Sequence, residues 1–424
     1  MKRESYHGLA VCLAVILAIG LLIAACAPKP APAPAPSPAP APAPAPAPKP
    51  APAPVPKPAP PKYEWPRTLP VATTGMGGTT NVIPLAIFSV MEPKTGMKIR
   101  VIPEDSPATR QAWLKAGIVD LASDPVSHSS DAIEGILGFA TRQGGPYHLR
   151  IVWHTVALPV SYIVRGDSEI KTIYDIKPGH RIAYLISQPS SIRLMDGLLA
   201  WIGLNKEDVT VVEFGSFSAN VRSVMEGKAD VAFTSHTSSL AQEVAAGPHG
   251  VRVLELPAKE DPEGAKRARS FYRRTVYAPA KIGIKEGLGV TVWILMSYLE
   301  TRADTDPEFV YHFAKWLGEN LDAYKDKHTL CQYMGIDEFV GYLDNAFLPV
   351  HEGTIRYLKE KGKWTDALKT RNEQNITLVS RYVEAYEKAI GMADDKGIKV
   401  DPSNEAWMEL WENYKKELGL PGIG

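Results

Sequence analysis

Beyond residue 66 the chain alternates short apolar runs with stretches of helical spacing. "RTLPVATT" predicts a strand, residues 81–91 a helix and "MKIRVIPE" a second strand. "SPATRQAWLKAG" reads as a helix with Ser106 as its N-cap and Pro107 at its first position. "IVDLAS", "LRIVWHTV", "VSYIVRG" and "RIAYLIS" are further β-rich runs. They are followed by a helix in "SSIRLMDGLLAWIGL", a strand in "VTVVEFG", a helix in "SANVRSVMEGKA" and a strand in "DVAFTS". This alternation predicts an α/β fold with mainly parallel sheets. The series strand, loop, helix, strand, helix, strand runs once over residues 69–123 and again over 181–235. Each series predicts one open sheet with ligand-facing loops at the carboxyl ends of its strands. Two such lobes facing each other enclose a cleft. After Lys281 the pattern turns increasingly helical, with Phe309, Phe313, Trp316, Leu317 and Leu321 on one face. In the last segment Trp407, Leu410, Trp411, Tyr414 and Leu418 recur at helical spacing, with Asp401 as the expected N-cap.

The residues ahead of this region read differently. Lys2 and Arg3 precede an apolar run over residues 9–25 that ends "LLIAAC". Small residues before a cysteine are the pattern of a bacterial lipoprotein signal, so residues 1–25 are expected to be removed and Cys26 lipidated. Residues 27 to about 62 are nearly pure Ala-Pro, which cannot form a helix or a sheet ladder. As polyproline II they would reach on the order of 100 Å. The expected organisation is a signal at 1–25 and a linker at 26–65. Lobe 1 comprises 66–157 with 281–365, lobe 2 is 158–280, and 366–424 is a helical C-terminal extension. The protein is expected to be exported and held at a membrane by its lipid.

Charge is balanced, with 47 Lys and Arg against 47 Asp and Glu in 424 residues, which argues against a nucleic-acid partner. Of three cysteines only Cys331 remains beyond the signal and the lipidation site, so the mature chain can form no intrachain disulfide. No G-x-S-x-G elbow and no H-E-x-x-H occurs, and the histidines have no metal-ligand spacing. An enzyme is not expected, and neither is a cofactor or a metal.

The loop "TTGMGGTT" lacks the Gly-Lys-Ser/Thr ending of a P-loop and the last glycine of a dinucleotide fingerprint. Its glycines still let backbone N–H groups approach a ligand at a helix N-terminus, where negative charge is favoured. "SQPSSIR" stands at the corresponding place in the second series, with Arg193 suited to fork onto a carboxylate.

Together these stretches resemble the TAXI-type solute-binding proteins of TRAP transporters. The resemblance is carried in order by "TTGMGGTTNVIP", "KIRVIPEDSPATRQAWLKAGIVDLASD", "EFGSFSANVRSVMEGKADVAFTS" and "LPVHEGTIRYLKEKGKW". It implies the two-lobed type II periplasmic-binding-protein fold with a ligand cleft between lobes. It also implies a receptor that hands a small organic anion or amino-acid-like carboxylate to a TRAP membrane permease. The alternatives are the binding protein of an ABC-type uptake system and a ligand-sensing adaptor for a membrane kinase. Residues 366–424 have no counterpart in the family pattern. The expected ligand donors are Thr74, Gly75, Gly77 and Thr79 in lobe 1 and Ser190, Ser191 and Arg193 in lobe 2. Ser123 and Asp124 are expected to end a strand and face the cleft, with Asp124 meeting an amino group. Thr234 and His236 are placed at the rim.

Overall fold

The structure is a computed structural model, and it describes residues 63–272 and 276–423. The signal, Cys26 and nearly all of the linker lie outside the described residues. Folded contacts begin slightly earlier than residue 66: the Tyr63 ring stacks on His312 at 3.9 Å, and Trp65 packs against the core.

Both predicted series of elements are present, but the sheets are not mainly parallel as expected: among the described residues three strand pairings are parallel and six antiparallel, and the strands of the second series divide between two sheets. In the first series, β1 (Thr68–Thr73), β2 (Lys98–Pro103) and β3 (Leu121–Pro125) alternate with α1 (Thr79–Thr95) and α2 (Pro107–Lys115). Parallel register pairs Thr73 with both Pro103 and Ser123, so the carboxyl ends of the three strands lie at one edge. Next come α3 (Val126–Glu134) and β4 (Leu149–His154). The chain then crosses to the second lobe, where β5 (Leu158–Arg165) leads into β6 (Arg181–Leu185), α4 (Pro189–Trp201), β7 (Thr210–Phe214), α5 (Phe217–Met225) and β8 (Ala232–Ser235). Pairing of Leu185 with Phe214 aligns the ends of β6 and β7 as in the first lobe.

Lobe 2 continues with α6 (Ser239–Ala246), β9 (Val251–Leu254), α7 (Pro262–Arg269), β10 (Val276–Pro279) and β11 (Thr291–Leu295). Here the structure departs from the helical pattern expected after Lys281. The region after Lys281 opens with strands, and β11 pairs antiparallel with β5 in the second sheet. The return to lobe 1 therefore occurs at Met296, not near residue 281. β12 (Ser297–Arg302) then inserts antiparallel between β3 and β4, giving the first sheet the order β2-β1-β3-β12-β4. "TVWIL" and "SYLETR" are buried on both faces, so they lack the alternation that marks a half-exposed strand. The two crossings are tied together: Thr155 N–H donates to the Ser297 carbonyl at 2.9 Å, and Val126 N–H to the Met296 carbonyl at 2.8 Å. The described residues past 62 form one compact unit, so the two lobes and the cleft between them belong to a single body.

Helices α8 (Pro307–Glu319), α9 (Leu321–Tyr324), α10 (Ile336–Leu343) and α11 (Glu352–Glu360) complete lobe 1. The extension is α12 (Asp366–Asp395) followed by α13 (Glu405–Glu417). The cap of α13 is Asn404, which accepts from Ala406 N–H at 3.1 Å, whereas Asp401 holds the turn before it through Ser403. Trp407 and Trp411 are fully buried. Their indole N–H groups reach the carbonyls of Ala140 at 2.9 Å and Glu134 at 3.0 Å, so the extension packs on lobe 1 at the far end of α3.

Candidate ligand-binding cleft

Three helices begin where the lobes meet: α1 after the glycine loop, α3 directly after β3, and α4 after "SQ". Each leaves its first backbone N–H groups without an intrahelical partner. The hydroxyls of Thr74 and Thr80 bond each other at 2.6 Å and fold the loop back over the start of α1.

The three glycines of that loop have separate tasks. A Cβ on Gly75 would stand 2.1 Å from Oδ1 of Asp105. The bare backbone lets this carboxylate cross to lobe 2, where it accepts from Phe217 N–H at 3.2 Å at the start of α5. Gly77 has φ of +83°, which favours glycine, and its carbonyl accepts from Ser239 N–H at 3.2 Å and Ser239 Oγ at 3.1 Å. Only Gly78 lines the cavity. Further lobe-to-lobe bonds join Thr79 Oγ1 to Thr237 Oγ1 at 2.7 Å and to Ser235 Oγ at 3.3 Å. The lobes are closed on each other.

Between them is a cavity with ≈ 60 Å³ in which the centre of a water-sized group can sit. Its polar wall comes from Thr79, Ser127 and His128 on one side and Gln188, Ser190 and Ser235 on the other. Leu158, Val160, Leu194, Phe217, Phe233 and Leu295 form an apolar wall from lobe 2. Ser127 and Ser190 are buried residues that line this cavity, and their hydroxyls make no hydrogen bond to another side chain or to the backbone among the described residues. Such groups cost free energy unless something else meets them.

Behind His128 lies a closed polar network. Arg110 donates to Asp124 Oδ1 through Nη2 at 2.5 Å and Nε at 3.1 Å, and Gln111 Nε2 donates to Oδ2 at 3.0 Å. His128 Nδ1 stands 2.9 Å from Asp124 Oδ1, leaving Nε2 as the ring nitrogen free of protein partners. Burial raises the Asp124 carboxyl, but Arg110 and His128 outweigh it and hold it near 2. Burial lowers His128 and keeps it neutral. Glu300, hydrogen-bonded by Ser129 and Gln111, is pushed well above the usual carboxylate range by burial and by Asp124. One anion thus faces one guanidinium, with Glu300 and His128 uncharged.

Of the sequence candidates, the structure brings Thr74, Thr79, Ser190 and Ser191 together at the cavity. Gly75 and Gly77 serve the lobe contacts just described. Ser123 and Asp124 do not end the strand, which runs to Pro125, and neither lines the cavity. Asp124 is taken up by Arg110, Gln111 and His128 and cannot meet an amino group of a ligand. Arg193 turns away from the cavity. Its Nη1 pairs with Asp131 Oδ1 of lobe 1 at 2.9 Å and its Nε donates to the Phe271 carbonyl at 2.7 Å. Thr234 points to Ser238, and His236 sits between Gly283 and Gly287 with neither ring nitrogen partnered. Ser235 between them is the cavity residue, as the alternation of a strand requires. Ser127, His128, Gln188 and the apolar wall carry no motif that the sequence pattern singles out.

A family-level comparison matches residues 71–362 to the NMT1-like family. No curated protein matches. Among solved structures, the alkanesulfonate-binding protein SsuA from Xanthomonas axonopodis pv. citri, bound to MOPS, is 14% identical. It covers 80% of this chain and 97% of its own, with a TM-score of 0.37. A binding-protein component of an ABC phosphonate transporter from Pseudomonas aeruginosa is 12% identical over 77% of this chain and 99% of its own, with a TM-score of 0.42. The periplasmic binding protein BugD is 13% identical over 74% and 97%, with a TM-score of 0.45.

Proposed function

The chain belongs to the NMT1-like family, and from that premise we propose that it is an exported solute-binding receptor. It closes two lobes on a small organic anion and delivers it to a membrane permease. The observation that carries this reading is the pair of hydroxyls on buried residues, Ser127 from lobe 1 and Ser190 from lobe 2, facing one cavity between the lobes. Residues from both lobes then meet the same molecule, and release requires the lobes to part about the crossings at 155–157 and Met296. Binding and release are the whole task in this reading, with no turnover.

The family match contains nothing specific to a TRAP system. An ATP-driven uptake system needs only a solute-binding receptor of this fold, and we place that partner ahead of the ion-driven permease. The lipoprotein ending at Cys26 supports retention at the membrane beside the permease. Against the kinase-adaptor reading stands the extension itself, whose tryptophans are buried in lobe 1 rather than presented to a partner.

The test is a thermal-shift screen of the purified chain against organic acids and amino acids. A ligand at about 100 times its Kd stabilises the folded state by about 2.7 kcal/mol. The expected result is a concentration-dependent rise with a narrow class of solutes, lost when Ser127 and Ser190 are both changed to Ala. Turnover of the bound solute would replace the receptor reading with an enzymatic one.

A further inference from the structure

The walls of the cavity say more about the solute than that it is an anion. Among the described residues, no Asp, Glu, Lys or Arg lines the cavity. Arg110 and Arg193, near the cavity, are paired internally, Arg110 with Asp124 and Arg193 with Asp131. The only titratable lining residue among those described, His128, is held neutral by burial. A ligand ammonium group would therefore be buried without a carboxylate, and a second ligand carboxylate without a cation. Uncompensated buried charge is strongly disfavoured.

One negative charge is nevertheless provided for. The starts of α1, α3 and α4, helices of 17, 9 and 13 residues, meet at the cavity. Val126 N–H is taken by the Met296 carbonyl and Pro189 has none, so the helix dipoles and the N–H groups of Thr79 and Thr80, Ser127 and His128, and Ser190 are what favour an anion there. The hydroxyls of the buried residues Ser127 and Ser190 supply donors that no other described residue engages. The neighbouring helix α5 shows the same preference within the molecule, because its first N–H already holds the carboxylate of Asp105. The same cavity is also lined by Leu194, Phe217, Phe233 and Leu295, which offer apolar side chains to the rest of a solute. At about 10–15 Å³ for each water-sized group, ≈ 60 Å³ accommodates roughly four to six non-hydrogen atoms.

Resting on the receptor reading above, we infer that the solute is a small singly charged oxyanion with a short apolar tail, lacking an ammonium group and a second acid. Propionate, butyrate and ethanesulfonate have this chemistry. Glycine, L-glutamate and succinate do not.

The experiment is calorimetric titration of the full chain with these six compounds, repeated on Ser127→Ala and Ser190→Ala. The expected result is binding of at least one monoanion at least tenfold tighter than any of the other three. Each serine variant should weaken it by about tenfold, as expected for a lost hydrogen bond to a charged group. The carboxylate and sulfonate arms report which head group fits better. Tighter binding of glycine, glutamate or succinate overturns this inference and leaves the receptor reading standing. Unchanged monoanion affinity in both serine variants also overturns it, since the solute would then sit elsewhere. If none of the six binds, the inference is likewise wrong. The receptor reading is then judged separately, by mass spectrometry of any solute that co-purifies with the protein.

Discussion

Removing Arg193 should weaken solute binding although Arg193 does not touch the cavity. Its guanidinium bonds Asp131 of the opposite lobe at 2.9 Å, with Asp131 almost completely buried and Arg193 one-fifth exposed. This charge-assisted contact joins the two lobes in the closed arrangement. A hydrogen bond to a charged group contributes about 1.5–3 kcal/mol. Its loss in Arg193→Ala should therefore lower affinity by roughly 10- to 100-fold. Burial pushes the Asp131 carboxyl up to about 7 despite the guanidinium. Orphaned, it takes up a proton more readily, which limits the loss at low pH, so the effect of Arg193→Ala should grow between about pH 6 and 8. The companion variant Asp131→Asn separates two explanations by sign. If the pair is an interlobe latch, Asp131→Asn also weakens binding, and the double variant is little worse than either single one. If Arg193 instead contacted the anion, removing its competing carboxylate would strengthen binding. Calorimetric titration of the three variants at pH 6 and 8 decides this, and tighter anion binding by Asp131→Asn would refute the latch.

Gly75→Ala places a methyl group 2.1 Å from Asp105 Oδ1 and should displace that carboxylate from Phe217 N–H. The expected outcome is about fivefold weaker binding, corresponding to roughly 1 kcal/mol, and unchanged affinity would separate Asp105 from closure. Trp411→Ala removes a fully buried indole that packs at 5.0 Å from Tyr386 and bonds the end of α3. It should cost about 3–5 kcal/mol in urea unfolding, and an unchanged midpoint would show the extension to be independent of lobe 1. Burial holds His236 near 4, below its ordinary value of 6.5. The unfolded chain therefore binds the proton first, and the stabilising contribution present above 6.5 is lost as pH falls toward 4. Relative to wild type, His236→Leu should gain about 3 kcal/mol between pH 6.5 and 4, read from thermal unfolding at the two pH values. A pH-independent difference would contradict the buried neutral imidazole.

The two β-α series are legible in the sequence because parallel strands are short apolar runs punctuated by capped helices, as at Ser106 and Pro107. The return strands are not legible, because a run such as "TVWILMSYLETR" that is buried on both faces has no period to read. At the cleft, the sequence points to loops that line the cavity, but in several cases to a neighbour of the lining residue. Ser235 lies between the two residues expected from its strand, and Ser127 and His128 lie just past Ser123 and Asp124. A one-residue step in a strand reverses the side chain, and only the register fixes that step. The fate of Arg193 depends on Asp131, 62 residues away and in the other lobe. The role of Gly75 depends on Asp105 and Phe217. Such pairings arise only when the lobes close, so local sequence carries no signal for them. The order of the two β-α series is readable from pattern, whereas the antiparallel return strands and the charge balance of the cavity are not.

Hydrogen exchange with and without a bound solute tests the central claim most directly. The account predicts that amides at the starts of α1, α3 and α4, near Thr79, Ser127 and Ser190, slow together at the same solute concentration. Protection confined to one lobe, or located away from these three helix starts, would contradict a receptor that closes both lobes on its ligand.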